Sequence, residues 1–484
     1  MKKWNTTLRY AGFSLIGISL LMYLAAFIAF RNDSDDSLNP LIFSAMTSTL
    51  CGFFAIISTE PQENMSIEEG YRIVTGCWIA ACFFGAIPYM MFGGEFTVIN
   101  AFFESVSGFT TTGASILNDI EALPKGLQFW RIASAWIGGI GIVTLVSLVI
   151  SAQHDRHSIL ASAELSDLAK SYYGGRKKFF VYRMLAVYIV ITTASAVALK
   201  FTKIPWFDAV TLAMSACSTC GFCIKNASVG FYNSAAIEGI LILSMLMGAC
   251  NFSLMFSTVW PDSRTRKNLF NSQIVRWFLG LVALATLVTS ANLYFSGACP
   301  TFLKALRLAA FQVSSLSTTT GFATTDTSLW PQFSISILML CSLVCGCSGS
   351  TSGGMKMDRL VIVVKSLKGM SRSLVGAHNV MNVKIDGQSK TEDNVTSVLT
   401  FIGVYLLIVA LATIFFAISM DFETSLSASI ACMGNVGPGF GVVGSIGNYA
   451  GLMGFQKVVA MGIMLLGRVE IFPMLIALRS LIRP

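Results

Sequence analysis

Long apolar runs separated by short polar segments dominate this chain. Ten windows of about 17–25 mostly apolar residues fall at 10–30, 41–57, 73–93, 132–151, 179–199, 235–260, 277–296, 333–350, 396–420 and 454–478. A helix rises about 1.5 Å per residue, so runs of this length cross a hydrocarbon layer of roughly 30 Å. The pattern therefore predicts ten transmembrane helices. The first window follows Lys2 and Lys3 and has the outline of a signal peptide. It is longer than an ordinary signal-peptide core and no small-residue cleavage site follows, so it reads as an uncleaved span.

Four further apolar stretches are too short to span and too apolar for solvated loops: Asn100–Gly108, Phe207–Ala216, Thr301–Leu316 and Phe422–Met433. They read as re-entrant half-helices. Each leads into a run of small, mostly hydroxyl-bearing residues that closes on a glycine: Gly113, Gly221, Gly321 and Gly437, spaced 108, 100 and 116 residues apart. Aligned on these glycines, Ala101, Ala209, Ala309 and Ser425 stand twelve residues upstream, and Ser107, Ser215, Ser315 and Ala431 six upstream. Small residues let a half-helix pack closely between spans. The expected fold is an all-α polytopic membrane protein. It has four pseudo-symmetric helix–pore helix–helix repeats around one pore, plus two extra N-terminal transmembrane helices. The expected boundaries are 1–65 for the two additional helices, then 66–155, 156–265, 266–392 and 393–484 for repeats 1 to 4, with the second helix of repeat 3 interrupted.

Composition agrees and narrows the class. The chain has 484 residues, 54% hydrophobic and 12% charged, which excludes an ordinary soluble domain. Its net charge of +8 is mostly topological: with the N-terminus inside, 23 of the 33 Lys and Arg fall on the cytoplasmic side. Ten spans return the C-terminus to the same side, beside Arg479 and Arg483. No basic stripe with reading elements points to nucleic acid. The twelve cysteines lie mostly in apolar windows or glycine-run segments, with no paired framework in an outer loop, so no disulfides are expected. Cys217, Cys220 and Cys223 resemble part of an iron–sulfur run. They lack the fourth cysteine followed by proline, and they align with Thr and Ser of the other repeats.

The glycine runs carry the candidate chemistry. Non-helical backbone at membrane depth survives only where it is buried in protein or lines a wet cavity. Four such runs therefore belong around a common axis. Glycine lets a carbonyl point into a narrow pore, and rings of carbonyls replace the hydration shell of a cation. Half-helices ending at these runs aim their negative C-terminal ends at the same cavity. The candidate filter residues are Thr111, Thr112 and Gly113; Thr219, Cys220 and Gly221; Thr319, Thr320 and Gly321; and Asn435, Val436 and Gly437. Glu95, Asp119, Glu121, Asp208, Asp421 and Glu423 are acidic residues near the outer mouth that either attract cations or serve as loop charges and helix caps.

A second glycine-rich stretch follows the third run: Gly346, Cys347, Ser348, Gly349, Ser350, Thr351, Ser352, Gly353 and Gly354. It interrupts what would otherwise be one helix from about Gln332 to Lys368, since each glycine costs a helix about 1 kcal/mol relative to alanine. It is either a cytoplasmic turn or a broken helix whose loop crosses below the filter. Arg468 sits inside the last apolar window. An intramembrane arginine usually faces a cavity or partner; here it either does so or snorkels to the interface. Glu470, two residues on, diverges from it on a helix.

These features resemble the Trk/Ktr/HKT superfamily of potassium transporters, most closely its bacterial TrkH branch. The resemblance covers essentially the whole chain. It is carried by Ser-Gly-Phe-Thr-Thr-Thr-Gly at 107–113, Ser-Thr-Thr-Thr-Gly-Phe at 317–322, Gly-Asn-Val-Gly-Pro-Gly at 434–439, Gly-Cys-Ser-Gly-Ser-Thr-Ser-Gly-Gly-Met-Lys at 346–356 and Gly-Arg-Val-Glu-Ile-Phe at 467–472. The resemblance implies potassium uptake across a bacterial inner membrane, with both termini cytoplasmic and K+ held at the filter residues. It implies that the loop 346–354 is a movable intramembrane gate with Arg468 beside it. It also implies a homodimer in membrane lipid with a pore in each protomer, docked on a cytoplasmic ring of TrkA-type nucleotide-binding subunits. The second run departs from the pattern at Cys220 and Cys223. No covalently bound cofactor is expected. The chain carries no Gly-x-Gly-x-x-Gly after a strand and no Walker lysine motif, so nucleotide effects require a partner. The alternatives are a less selective K+/Na+/NH4+ channel, an ion-coupled symporter, and a membrane enzyme or redox carrier using the cysteines. Against the last, only three histidines exist (His154, His157 and His378), all in expected cytoplasmic loops.

Overall fold

A computed structural model of the chain describes residues 2–60, 66–152, 177–259, 268–373, 383–386, 388–390 and 392–482. Of the expected cytoplasmic segments 156–183, 264–276 and 356–390, residues 156–176, 264–267 and 374–382 lie outside the described residues, as do the three histidines and Arg483. The described residues form seventeen α-helices. Two lead: α1 (Lys2–Phe30) and α2 (Leu38–Ile57). They meet at Gly12 and Gly52, where a β-carbon on either would lie 2.7–2.8 Å from the other's carbonyl oxygen. Glycine at both positions is what permits this approach.

The order long helix, short helix, second helix then recurs four times. It runs α3 (Ile67–Phe92), α4 (Val98–Phe109) and α5 (Lys125–Ala152); then α6 (Lys177–Phe201), α7 (Trp206–Ser218), α8 (Ala235–Ala249) and α9 (Phe252–Val259). Next come α10 (Gln273–Phe295), α11 (Phe302–Ser317), α12 (Gln332–Val344) and α13 (Met357–Ser373), and last α14 (Glu392–Phe416), α15 (Phe422–Gly434), α16 (Gly454–Val469) and α17 (Ile471–Ile482). The short helices α4, α7, α11 and α15 coincide within two residues with the four expected half-helices. Three begin on side-chain caps, with Thr97, Thr301 and Asp421 accepting from the amides of Asn100, Lys304 and Thr424. Such caps satisfy amides that have no intrahelical partner. The remaining short helix starts after Pro205, which gives up no amide there.

The ten apolar windows do not all fold as single straight helices. Among the described residues, six helices are individually long and apolar enough to cross a membrane, eight if each bent pair counts as one span. The sixth and tenth windows are not straight: α8 and α9 meet at 105°, α16 and α17 at 106°. Cys250 is extended at the first break and Glu470 has a φ of 68° at the second, so neither continues a helix. The eighth window holds only the thirteen-residue α12 before the glycine-rich stretch. The fourth falls within the 28-residue α5.

A small antiparallel hairpin, β1 (Val383–Ile385) and β2 (Gln388–Lys390), interrupts the expected basic cytoplasmic segment. Asp386 at its turn accepts from the Ser272 hydroxyl at 2.9 Å and the Gln273 amide at 2.7 Å, tying the hairpin to the start of α10. Buried apolar side chains of α1–α5 and α14–α17 form one core, and those of α6 and α8–α14 a second.

Candidate functional site

The four glycine runs share one backbone form. Two residues before each glycine stands a non-glycine residue in the left-handed region: Thr111 (φ 52°), Thr219 (54°), Thr319 (60°) and Asn435 (54°). The glycines have φ values of 80°, 82°, 81° and 95°. Left-handed backbone at a non-glycine residue costs on the order of 1–3 kcal/mol, so it persists only where its surroundings hold it. Here the residue before each glycine donates its amide to the carbonyl six residues upstream of the glycine. Thr112 bonds Ser107 at 2.8 Å, Cys220 bonds Ser215 at 3.1 Å, Thr320 bonds Ser315 at 2.8 Å and Val436 bonds Ala431 at 2.9 Å. The small residues aligned in the sequence thus supply the carbonyl that ends each short helix and turns the chain.

These runs meet in a closed ring. A β-carbon at Gly113 would lie 1.9 Å from the Cys220 carbonyl oxygen; at Gly221, 1.9 Å from that of Thr320; at Gly321, 2.2 Å from that of Val436; and at Gly437, 2.4 Å from that of Thr112. Each glycine abuts the carbonyl preceding the next glycine, and the fourth returns to the first. All four line one cavity of about 400 Å³. The short helices end here, so their partial negative charge converges on a space bordered by carbonyls. Such a space favours a cation and disfavours an anion. Asn435 joins the fourth run to the first, its amide nitrogen donating to Thr112 Oγ1 at 3.1 Å and to the Met464 carbonyl at 2.9 Å. At the position before the glycine, Thr112 and Thr320 hydroxyls bond Thr110 and Thr318 at 2.7 and 2.8 Å, whereas Cys220 and Val436 have no such hydroxyl.

Most of the glycine-rich stretch 346–354 is buried inside the helical assembly, with Cys347, Ser350, Thr351 and Ser352 each at most 1% exposed, while Gly349 at its tip is exposed. It is a broken helix rather than a surface turn. Thr351 Oγ1 donates to the carbonyls of Cys217 and Gly248 at 3.0 and 2.9 Å. The Gly353 amide donates to Thr319 Oγ1 at 2.9 Å, and Cys347 to the Ala249 carbonyl at 2.9 Å. The loop therefore hangs directly from the second and third runs. Lys356 folds back onto the Ser352 carbonyl.

Arg468 is 1% exposed and does not reach an interface. Its Nη1 donates to the Thr351 carbonyl at 2.7 Å and its Nη2 to the Gly138 carbonyl at 3.0 Å. Glu470 turns away and pairs with Arg359 at 3.0 Å. The guanidinium thus bridges the loop to the first repeat's second helix, and among the described residues no carboxylate pairs with it.

The sequence profile of the TrkH family, described as a cation transport protein, matches residues 39–483. The chain belongs to the TrkH cation transport family. Members similar to it are the Trk system potassium uptake protein TrkH of Salmonella typhimurium (31% identical over 85% of both chains) and that of Vibrio parahaemolyticus (29% over 98% of both). The Trk system potassium uptake protein TrkI of Halomonas elongata is 30% identical over 99% of this chain and 96% of its own. Its fold is similar to the crystal structure of the potassium transporter TrkH from Vibrio parahaemolyticus: TM-score 0.89 at 28% identity, covering 99% of this chain and 100% of that one. It is a multi-pass membrane protein of a transport family.

In this TrkH-family chain the acidic residues named at the outer mouth do not line the ring cavity. Asp421 caps α15, Asp208 accepts from the Tyr232 hydroxyl at 2.8 Å, and Glu95 holds Asn118 at 3.1 and 3.2 Å. Asp119 and Glu121 hold Asn226 and Lys225, in the loop after α7, at 2.7 and 3.0 Å. Hydrogen bonding from Asn226 holds the Asp119 carboxyl below its ordinary value, and Lys225 does the same for Glu121. The charged residues that do line the cavity are Arg131 and Lys225. Among the described residues no group of three or more metal-ligating His, Cys, Asp or Glu side chains converges, Cys217, Cys220 and Cys223 included.

Several neighbours of the ring escaped sequence reasoning. Tyr449, 1% exposed, donates its hydroxyl to the Gly437 carbonyl at 2.8 Å. Glu104 and Arg131 form a buried pair beside the first run. Glycines behind the ring (Gly138, Gly353 and Gly467) would each place a β-carbon 1.9–2.3 Å from a carbonyl at the end of α4 or α15. A charged residue inside an apolar half-helix was the available signal for Glu104. Tyr449 offered none, because its partner is twelve residues away across an irregular loop.

Proposed function

We propose that this protein takes up potassium across a bacterial inner membrane through the ring of Gly113, Gly221, Gly321 and Gly437. The observation that carries the reading is the closure of that ring: four equivalent backbone segments bring each glycine against the next segment's carbonyl within one chain. Carbonyls so arranged can replace the water around a dehydrating cation. Thr111, Thr112, Thr219, Cys220, Thr319, Thr320, Asn435 and Val436 complete the filter and hold K+ as the transported ion. Relatives named as potassium uptake proteins over nearly the whole chain support the choice of ion.

Below the filter, the loop Gly346–Gly354 is the gate and Arg468 its latch. The bond from Arg468 to Thr351 holds a positive charge and a loop together under a cation pathway. A cation leaving the filter meets both steric obstruction and electrostatic repulsion. Opening requires the loop to swing away and the guanidinium to lose its carbonyl partners. The protein works as a homodimer in membrane lipid, with both termini cytoplasmic, and a TrkA-type nucleotide-binding ring on the cytoplasmic face controls the loop. The helix α13, directly after the loop, gives such a partner a lever.

The test is potassium uptake in a potassium-auxotrophic bacterium expressing the chain, with and without a TrkA-type partner. Growth at low potassium that depends on the chain and is modulated by the partner is expected. Competition by sodium and ammonium, and uptake at clamped proton and sodium gradients, separate a selective pathway from a general monovalent-cation channel or a coupled symporter. Failure to transport potassium in reconstituted membranes overturns the reading.

A further inference from the structure

The four runs are alike in backbone but not in what stands behind them. Nine residues before each filter glycine the chain has Glu104, Leu212, Gln312 and Ala428. Only the first is charged, and it sits within α4, 0% exposed. Its carboxylate is fully used. Nε and Nη2 of Arg131, on α5, both lie 2.7 Å from Oε1. The Ser115 hydroxyl lies 3.0 and 3.2 Å from the two carboxylate oxygens, and the Ile116 amide donates to Oε2 at 3.2 Å. Ser115 and Ile116 are the second and third residues after Gly113. They are the outward leg of the first filter segment.

Arg131 extends the same network to the second segment. Its Nη1 donates to the Cys223 carbonyl at 3.4 Å, its Nη2 to Ser115 Oγ at 3.3 Å, and its guanidinium lies over the Phe222 ring at 4.2 Å. Phe222 and Cys223 directly follow Gly221. The Ser115 carbonyl in turn accepts the Tyr449 amide at 2.8 Å. One ion pair thus ties the exits of two neighbouring filter segments, and through Tyr449 reaches the fourth. A buried pair of this kind rarely adds net stability over apolar packing, whereas losing one partner leaves the other charge uncompensated. Its use here is positional: carbonyl rings discriminate between ions by cavity size and by the field of the carbonyls, and both depend on where the segments are held.

We propose that Glu104 and Arg131 are positioning residues that determine ion preference, bracing the outer ends of the first and second filter segments. The proposal rests on the reading of the four glycines as the filter. The brace also balances charge. Arg131 lines the cavity at the ring, and Glu104 cancels its repulsion of incoming cations.

The two roles separate by substitution in proteoliposomes, reading potassium flux and the potassium-to-sodium permeability ratio. Ser115→Ala removes the shared hydroxyl without altering charge. It is expected to lower the ratio several-fold with flux retained. Glu104→Gln leaves Arg131 uncompensated and is expected to lower both flux and ratio, each by about tenfold, the scale of one hydrogen bond to a charged group. The double variant Glu104→Gln with Arg131→Gln is expected to regain flux but not the ratio. A purely structural pair would not restore flux selectively. Gly113→Ser serves as the reference. If it leaves the ratio unchanged, the filter reading itself fails. If it lowers the ratio while Ser115→Ala and the double variant keep the wild-type ratio, only the brace is overturned. Should Glu104→Gln fail to accumulate, Ser115→Ala alone decides, because it carries the same expectation for the ratio.

Discussion

Arg468 and Thr351 belong to different repeats yet share a hydrogen bond: the guanidinium Nη1 donates to the Thr351 carbonyl at 2.7 Å. The same guanidinium reaches the Gly138 carbonyl at 3.0 Å. The described contacts of this buried guanidinium are thus with neutral carbonyls. Replacing it by alanine is expected to raise unstimulated potassium flux by about tenfold, matching the loss of one charged hydrogen bond. Flux assays at matched protein levels check this. Unchanged basal flux would remove Arg468 from the gate.

The ring distances predict the response to each filter substitution. A β-carbon meets a carbonyl oxygen at 1.9 Å from Gly113 and Gly221, but at 2.2 and 2.4 Å from Gly321 and Gly437. All four clash, and all four glycines have positive φ. Alanine at any of them is expected to lower potassium selectivity at least about tenfold, as one kcal/mol-scale strain per site implies. The losses should be largest at Gly113 and Gly221. Permeability ratios for the four variants test the order.

Cys220 contributes its backbone carbonyl to the ring, and its amide bonds Ser215 at 3.1 Å. Neither depends on sulfur. Thr occupies the equivalent position in the first and third runs, so Cys220→Thr is expected to keep the potassium-to-sodium ratio within about twofold, the scale of a single weak contact. A large shift in the ratio would assign the thiol a direct part in ion choice.

The pair Arg359–Glu470 joins the helix after the loop to the kink after Arg468, at 3.0 Å, and Arg359 also lies over Phe401 at 3.7 Å. Glu470 is partly exposed, so the pair is worth under about 1 kcal/mol. Glu470→Gln is therefore expected to raise basal flux about threefold, less than the Arg468 variant, and to weaken the response to a cytoplasmic partner. Paired flux measurements with and without the partner give both quantities.

The loops around Asp119 and Lys225 carry a pH signature. Asn226 holds Asp119, and Lys225 holds Glu121, with each carboxyl below its ordinary value. A depressed carboxyl stabilises the clamp above the ordinary value and loses that contribution as pH falls through the lowered one. Hydrogen exchange in residues 118–123 and 224–228, taken relative to each amide's intrinsic rate at that pH, is expected to be flat from neutral to mildly acidic pH. It should rise only once pH falls below the ordinary values of 3.8 for aspartate and 4.5 for glutamate. Asp119→Asn should raise exchange already at neutral pH.

By itself, the sequence determined where the long apolar segments lie and which four short ones are too brief to span. Hydropathy and length are local properties, and a twelve-residue apolar stretch flanked by spans has few options in lipid. The same reasoning found the four glycine runs and the break after Val344, because glycine density is visible residue by residue. Tertiary structure decided the rest. Closure of the ring from Gly437 back to Thr112 joins positions 325 residues apart, and no local pattern encodes that. The right-angle bends at Cys250 and Glu470 occur where neighbouring helices satisfy freed backbone groups, such as the Ala249 carbonyl taking the Cys347 amide. The partners of Arg468 likewise come from other repeats, and Glu104 meets its arginine on the next helix of its own repeat. Burial made those charges costly, and only the fold could supply what compensates them.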